Sequence, residues 1–297
     1  MLNVIKSKWI CLGISLVIIL AGVVSFFIQG FNLDIDFTGG TTITIDMEGK
    51  AFTVADIEKT IEDTVGFKAS NVQKSDNDVL INISTPDGKA LPGEQRESIF
   101  AAIKTAYSLS EENAPSFDSI DPTIGKELKQ SAVLCCLIAL VLMLVYITIR
   151  FELGSGIAAV LSLAHNVFIL LSIYSIFQLN INTTFIAAIL TIVGYSINDT
   201  IVTFDKIREI GRKVRKTPFS EIANRGVNET LTRSINTSVT TLLTIVVLYI
   251  IGVTSIKEFA LPIIIGIVVG TYSSIFIASP IWAMFKKDTA VGSNNKK

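Results

Sequence analysis

Five long runs free of Asp, Glu, Lys and Arg dominate this sequence: Trp9–Leu33, Gln130–Ile149, Leu153–Asn198, Ser234–Ile256 and Phe259–Phe285. A bilayer core of about 30 Å is crossed by about 20 apolar residues in a helix, which satisfies its own backbone hydrogen bonds. Each run reaches that length, and the third is too long for one crossing. It breaks at Gln178-Leu179-Asn180-Ile181-Asn182, a polar stretch suited to a tight turn, and its second half continues past Asp199 to about Phe204. The expectation is six spans. Charged residues make up 17% of the chain, below the quarter usual in soluble domains, which argues against a soluble enzyme.

The net charge of −1 hides a segregation. Between Gln29 and Leu128 lie 18 acidic and 8 basic residues, whereas the remainder holds 8 acidic and 17 basic ones. Lys6 and Lys8, Arg150, the cluster from Lys206 to Arg225, and Lys286 and Lys287 all fall on one side if the N-terminus is cytoplasmic. The acidic insert is then external. The expected divisions are 1–30, the N-terminus and first span; 31–128, an external domain; 129–285, spans two to six with a basic cytoplasmic loop at about 205–230; and 286–297, a cytoplasmic tail. The first span is longer than the usual apolar core of a signal peptide and has no A-x-A site after it, so it reads as a retained anchor. Cys11, Cys135 and Cys136 sit in apolar runs and the sole histidine is His165, so neither a disulfide framework nor a metal site is expected. No basic surface domain is present to bind nucleic acid.

Within the insert, Thr41 to Ile45 alternates and is β-branched, which predicts a strand. Thr53 to Val65 reads as a helix, with Thr53 and Asp56 as a capping box and Phe52 and Ile57 at staple spacing. Val72–Lys74 and Val79–Ile83 read as strands joined by Ser75-Asp76-Asn77. Pro86-Asp87-Gly88 reads as a turn. Glu94 to Tyr107 reads as a second helix with Ile99, Ile103 and Ala106 as its apolar stripe, and Ser116 to Ile120 as a last strand. The order β-α-β-β-α-β is that of the ferredoxin-like split unit. The fold class expected is therefore an α-helical membrane protein, with six transmembrane helices and one external α+β ferredoxin-like domain between the first two. The insert holds no Ser-His-Asp set, Cys or His, and Gly39-Gly40 leads into a strand rather than forming a phosphate loop. Binding or lever-like movement suits it better than catalysis.

Asp199 is the one acidic residue inside a span, where a carboxylate costs roughly 2.5–3.5 kcal/mol. Its helical neighbours Tyr195, Ser196, Asn198 and Thr203, extended by Thr191, predict a polar face turned into the bundle. Arg233 opens the fifth span and is followed by Asn236, Thr237, Thr240, Thr241 and Thr244. Burial disfavours an ionised carboxyl and a nearby guanidinium favours it, so a carboxyl between the two can take and release a proton as its surroundings change. On that reading Asp199 and Arg233 form a proton- or cation-coupled switch. The alternative is a static ion pair joining two helices, with the threonines serving close packing. His165 reads as an interhelix hydrogen bond or a proton relay, with Asn166 beside it. Gly266-x-x-x-Gly270 with Ser273 and Ser274 reads as a close-packing face, and Pro262 and Pro280 as kink sites. The basic stretch Arg212–Lys216 reads first as the topology signal, and second as a site for anionic lipid or a cytoplasmic partner.

Several of these stretches resemble the SecD/SecF family of bacterial protein-export subunits. Gly194-Tyr195-Ser196-Ile197-Asn198-Asp199-Thr200-Ile201-Val202 with Phe204-Asp205-Lys206-Ile207-Arg208-Glu209 resembles the fourth-helix signature of its smaller, SecF, branch. Asp36-Phe37-Thr38-Gly39-Gly40-Thr41 resembles the motif after the first helix. Leu231-Thr232-Arg233-Ser234-Ile235-Asn236-Thr237-Ser238 and the stretch from Gly266 to Ile275 resemble the fifth and sixth helices. The chain departs from the family pattern at Asn166, where members carry Asp, and at Lys206, where many carry Arg. The resemblance implies the resistance–nodulation–division superfamily, six helices forming half of a twelve-helix unit, and a bacterial plasma membrane location with cytoplasmic termini. It implies a non-enzymatic subunit without cofactor or metal. Such a subunit draws on the proton-motive force to promote preprotein translocation and release at the outer face. Asp199 and Arg233 match its proton-pathway residues, while Asp36, Phe37, Gly39 and Gly40 carry the motif of the external segment. The partners implied are a SecD-like subunit, the Sec channel, indirectly the SecA motor, unfolded preprotein and membrane lipids. Half of a small-molecule or lipid exporter of the same superfamily, or a purely structural subunit, are the rival readings.

Overall fold

The computed structural model describes residues 3–75, 77–85, 89–214 and 217–286. In chain order its elements are α1 (Lys8–Gln29), the single turn α2 (Ile35–Thr38), β1 (Gly40–Asp46), α3 (Val54–Val65), β2 (Asn71–Ser75), β3 (Asp78–Ile83), α4 (Gly93–Tyr107) and β4 (Ser116–Ile120). Then follow α5 (Pro122–Arg150), α6 (Leu153–Ile176), α7 (Thr183–Lys213), α8 (Phe219–Ile251), α9 (Thr254–Ser273), a π-helical segment (Ser274–Ala278) and α10 (Ser279–Phe285). The chain forms two compact units. One comprises Met1–Asn32, Leu134–Leu179 and Thr184–Lys297, the other Leu33–Val133 and Asn180–Thr183.

Among the described residues, six helical spans are long and apolar enough to cross a membrane, in the six places the uncharged runs predict. In the helical unit, α6, α7 and α9 form the interior, and small residues set how closely they approach. A Cβ at Gly22 of α1 would land on Ser172 of α6, and one at Gly266 of α9 on Ile192 of α7. Ser15 and Gly22 are the buried residues of α1. Ser25 Oγ donates to the Ser175 carbonyl (2.9 Å), and Tyr272 Oη to the Cys11 carbonyl (2.8 Å). The outward faces of α1, α5 and α8 remain apolar and exposed.

The expected basic loop at about 205–230 is mostly helix instead: α7 runs to Lys213 and α8 starts at Phe219. The charged residues here are spaced for helical pairing. Arg225 binds Glu229 (2.9 Å) and Lys213 binds Glu209, each one turn apart, and Lys206 bridges the two helices to Glu229 (3.2 Å). Buried Ile207, Ile210, Phe219, Ile222 and Ala223 give both extensions an apolar face. Arg215 and Lys216, the expected turn residues Asp76 and Pro86–Gly88, and the tail after Lys286 lie outside the described residues.

The sixth span changes register at 274–278. Pro280 has no N–H for the carbonyl one turn back, and its ring crowds that carbonyl. A π turn, which adds a residue to the helical repeat, resolves the conflict just ahead of it. Pro262 lies within α9 as well.

The second unit follows the predicted β-α-β-β-α-β order. Its four-stranded sheet runs β2-β3-β1-β4, every neighbouring pair antiparallel, with Ile43 opposite Ile81 and Phe117. Ile43, Ile45, Val79, Ile81 and Ile83 meet Ile57 and Ile61 of α3 and Ile99 and Ile103 of α4 in a core closed to solvent. Thr53 caps α3 by accepting from the Asp56 amide (3.2 Å). Ala106, expected on the buried stripe of α4, is exposed; the helix ends within a turn, and Leu109 is buried instead. Glu48, at φ +53°, accepts from the Ser110 amide (3.0 Å) and Asn113 Nδ2 (3.1 Å), which pulls its carboxyl down to about 2 and ties two loops together.

Candidate functional site

Asp199 stands on α7 and its carboxylate is claimed by two hydroxyls from other segments. Ser234 Oγ of α8 donates to Oδ1 (2.5 Å), and Ser274 Oγ, the first residue of the π segment, donates to Oδ2. Both serines are fully buried, while Asp199 is partly exposed. The carboxylate is therefore reachable on one side and gripped on the other. Hydroxyl pairs extend the polar layer: Thr203 with Thr230 (3.3 Å), Ser238 with Thr271 (2.6 Å), and Ser162 with Ser273. The two serine contacts tie α7 to α8 and to the sixth span through one carboxylate, the kind of charge-assisted hydrogen bond that is roughly twice as strong as a neutral one.

Arg233 does not close on Asp199. It is exposed, and among the described residues it makes no ion pair with that carboxylate. It lines a groove of about 370 Å³ with Val202, Asp205, Lys206, Glu229 and Thr230. The physical reason is helical phase: Ser234, one residue on, takes the position facing α7. Asn236, Thr237 and Thr240 share the exposed side of α8 with Arg233. The threonine hydroxyls turn back on their own helix, Thr237 to the Arg233 carbonyl (2.9 Å), Thr240 (2.9 Å) and Thr241 (3.0 Å) to that of Thr237. These threonines thus need no outside polar partner.

The predicted polar face of α7 divides. Ser196 and Thr203 are buried, Tyr195 is half-buried with its hydroxyl unpartnered among the described residues, and Asn198 and Thr191 are exposed. Asn198 sits about 100° around the helix from Asp199, which carries it out of the bundle. On α6 it is Asn166, not His165, that reaches across: its Nδ2 donates to Ser196 Oγ (2.7 Å), while His165 Nδ1 contacts Asn166 Oδ1 (3.2 Å). Sequence reasoning missed Ser234 and Ser274 as partners, although both lie in the motifs singled out. The usable signal was the demand of a membrane carboxylate for donors, and the serine pair just ahead of a proline.

A second cluster lies in the sheet unit. Asp34 Oδ1 accepts from Asn82 Nδ2 (2.5 Å) and the Ile35 amide (2.7 Å), and Oδ2 from Asn180 Nδ2 (2.9 Å). Burial pushes its carboxyl up, against the Ile35 and Asn180 hydrogen bonds that pull it down. Asp36 Oδ2 accepts both the Thr183 amide (2.9 Å) and its hydroxyl (2.7 Å) at the start of α7. Leu33 and Ile181 form a parallel bridge between the two acidic groups' partners. Phe37 is buried, and Gly39 and Gly40 take φ +76° and +139°. A Cβ on Gly40 would come within 2.8 Å of the Ile83 carbonyl, so the motif needs glycine to enter the sheet.

The chain matches two family models: "Protein export membrane protein SecD/SecF, C-terminal" over residues 100–288 and "SecD/SecF GG Motif" over 24–51. It is 36% identical over 282 residues to the protein translocase subunit SecF of Petrotoga mobilis, covering 93% of this chain and 92% of that one. It is 37% identical to the subunit SecDF of Bacillus subtilis, covering 90% of this chain and 36% of the relative. The crystal structure of SecDF from Thermus thermophilus, described as a translocon-associated membrane protein, superposes with a TM-score of 0.84 at 36% identity. The match covers 96% of this chain and spans 38% of the length of that one. Gly39, Gly40, Asp34 and Asp36 fall inside the shorter matched stretch and Asp199, Ser234 and Ser274 inside the longer one, and the chain belongs to the SecD/SecF family of protein export membrane proteins.

Proposed function

We propose that the chain is an accessory subunit of the bacterial Sec translocase, in which a proton moving through the membrane at Asp199 drives preprotein outward and releases it at the outer face. The observation that carries this reading is the grip of Ser234 and Ser274 on one partly exposed carboxylate among membrane helices. Protonation removes the charge that strengthens both bonds and frees α8 and the sixth span to shift. A charge crossing the full field gains about 2.3 kcal/mol per 100 mV, and a two-state element needs about 5.5 kcal/mol to move from 1:99 to 99:1, so a few protons suffice. Arg233 acts from the adjoining groove as the electrostatic partner that the moving carboxylate meets in the alternative state.

The N- and C-termini are cytoplasmic in this reading, in the plasma membrane, and the sheet unit is an external ferredoxin-like domain. Its β2-β3-β1-β4 order, with β3 inserted between the strands flanking α3, supports that assignment. A SecD-like subunit packs on the apolar outward faces of α1, α5 and α8; the SecDF relatives, of which this chain spans little more than a third, support such a partner. The protein acts beside the Sec channel after the SecA motor and performs no enzymatic step. The test is Asp199→Asn in membrane vesicles. Folding and SecD association should persist, gradient-dependent export should vanish, and ATP-driven export should remain. Full gradient-dependent export by the variant would leave only a structural role.

A further inference from the structure

One end of the helical unit carries a groove that the ion-coupling reading does not use. The C-terminal turns of α7, the start of α8 and the end of α10 enclose about 280 Å³. Its floor is aromatic and apolar: Phe219, Ile222 and Trp282 are buried, and the Trp282 ring meets a tilted Phe204 at 4.7 Å and an edge-on Phe219 at 4.9 Å between ring centres. Its rim is cationic. Lys286 Nζ lies 5.0 Å from the Phe219 ring and binds Glu152 (2.9 Å). Arg208 donates to the Arg150 carbonyl (3.3 Å). Arg212, one turn along the same face of α7, is exposed and makes no hydrogen bond or ion pair among the described residues. An adjoining groove shares Arg208 and Arg212 and adds Arg150 and Lys213. Five cations against the three acids Glu152, Asp205 and Glu209 leave the pair of grooves net positive.

We infer that this groove binds the phosphodiester headgroup of an acidic phospholipid, held by Arg208 and Arg212 above the Phe219–Trp282 floor. Guanidinium forks match phosphate oxygens bidentately, and two on one helix face define a small anion site. The floor sets the ligand apart from a free anion. It lies where the apolar spans end, at headgroup depth, and takes the first apolar part of the ligand as an interfacial aromatic does. Net positive charge selects acidic over zwitterionic lipid, at about fivefold per arginine. The site stands or falls apart from Asp199.

The chain has two tryptophans, so Trp9→Phe leaves Trp282 as its one indole reporter. The full-length Trp9→Phe protein is placed in mixed micelles containing brominated phosphatidylglycerol or brominated phosphatidylcholine, and Trp282 quenching is followed against lipid fraction. Phosphatidylglycerol should associate about 25-fold more tightly. Arg208→Gln with Arg212→Gln should bring the two lipids level while the thermal transition stays put. Arg212→Lys, which keeps charge without the fork, should fall between. Equal quenching by both lipids in the parent, or a preference untouched in the double variant, overturns the proposal. Inorganic phosphate that displaces the brominated lipid as well as an acidic lipid does would make it a free-anion site, and an acidic peptide that did so a protein-docking one; either also overturns it.

Discussion

Replacing Asp36 by Ala should loosen the start of α7 without unfolding the chain. The first amides of a helix have no intrahelical acceptor, and Asp36 Oδ2 supplies one to Thr183 as well as accepting its hydroxyl. A hydrogen bond to a charged acceptor contributes about 1.5–3 kcal/mol and a helix cap about 1 kcal/mol. Asp36 is half-exposed, so the two contacts together are set at about 2 kcal/mol, which corresponds to about a 30-fold rise in local opening. Hydrogen exchange over the peptide spanning Thr183 to Ile189 should accelerate by that factor, while amides in the middle of α6 keep their wild-type rates. Asp36→Asn retains an acceptor and should cost only about fivefold. Thr183→Val keeps the amide contact and loses the hydroxyl one, so it should lie between. Exchange in Asp36→Ala within about twofold of wild type would refute the capping role, because no other described acceptor serves the Thr183 amide.

Gly266→Val should destabilise by about 1–3 kcal/mol through collision with Ile192, read as a lower unfolding temperature in detergent, and Ile192→Ala should restore part of the loss. Ser274→Ala leaves the Asp199 carboxylate with Ser234 alone; it should lower gradient-dependent export while ATP-driven export continues, and the double Ser234→Ala, Ser274→Ala variant should export less than either single one. An unchanged double variant would detach both serines from the coupling step. The Glu48 carboxyl, held down to about 2, supports the sheet unit fully above the ordinary glutamate range and loses that support as pH falls towards 2. The gap in unfolding temperature between wild type and Glu48→Gln should therefore close on acidification, and a gap constant from pH 5 to 2 would contradict the Ser110 and Asn113 contacts.

The spans were legible because lipid removes every alternative: a long uncharged run must satisfy its backbone alone, and that fixes helix and approximate place. The order of strands and helices in the insert was legible from β-branched alternation and from the Thr53 cap, both local signals. Strand order was legible only through the topology that this order suggests, since nothing in β1 itself says that it lies between β3 and β4. The ends of α7 and α8 were misplaced because apolarity marks where a helix meets lipid, not where its hydrogen bonding stops; paired Glu209, Lys213, Arg225 and Glu229 carry the helices further. At the site, Asp199 stood out by its cost, whereas its true partners did not. Choosing Ser234 over Arg233 depends on a helical phase difference of about 100°, and choosing Ser274 depends on a register change that only Pro280 announces.

That register change is a dislocation in an otherwise regular lattice of hydrogen bonds. In crystals a dislocation lets one plane slip past another a step at a time instead of all at once. The π turn offers the sixth span the same economy. Handing the surplus residue one position along the helix exchanges backbone bonds locally and rotates the side chains it passes. Pro280 bars its travel towards the C-terminus, because its nitrogen has no hydrogen to donate to a new carbonyl, so the free direction is back through Ser273 and Thr271. Ser274, now aimed at Asp199, is the side chain such a step would turn first.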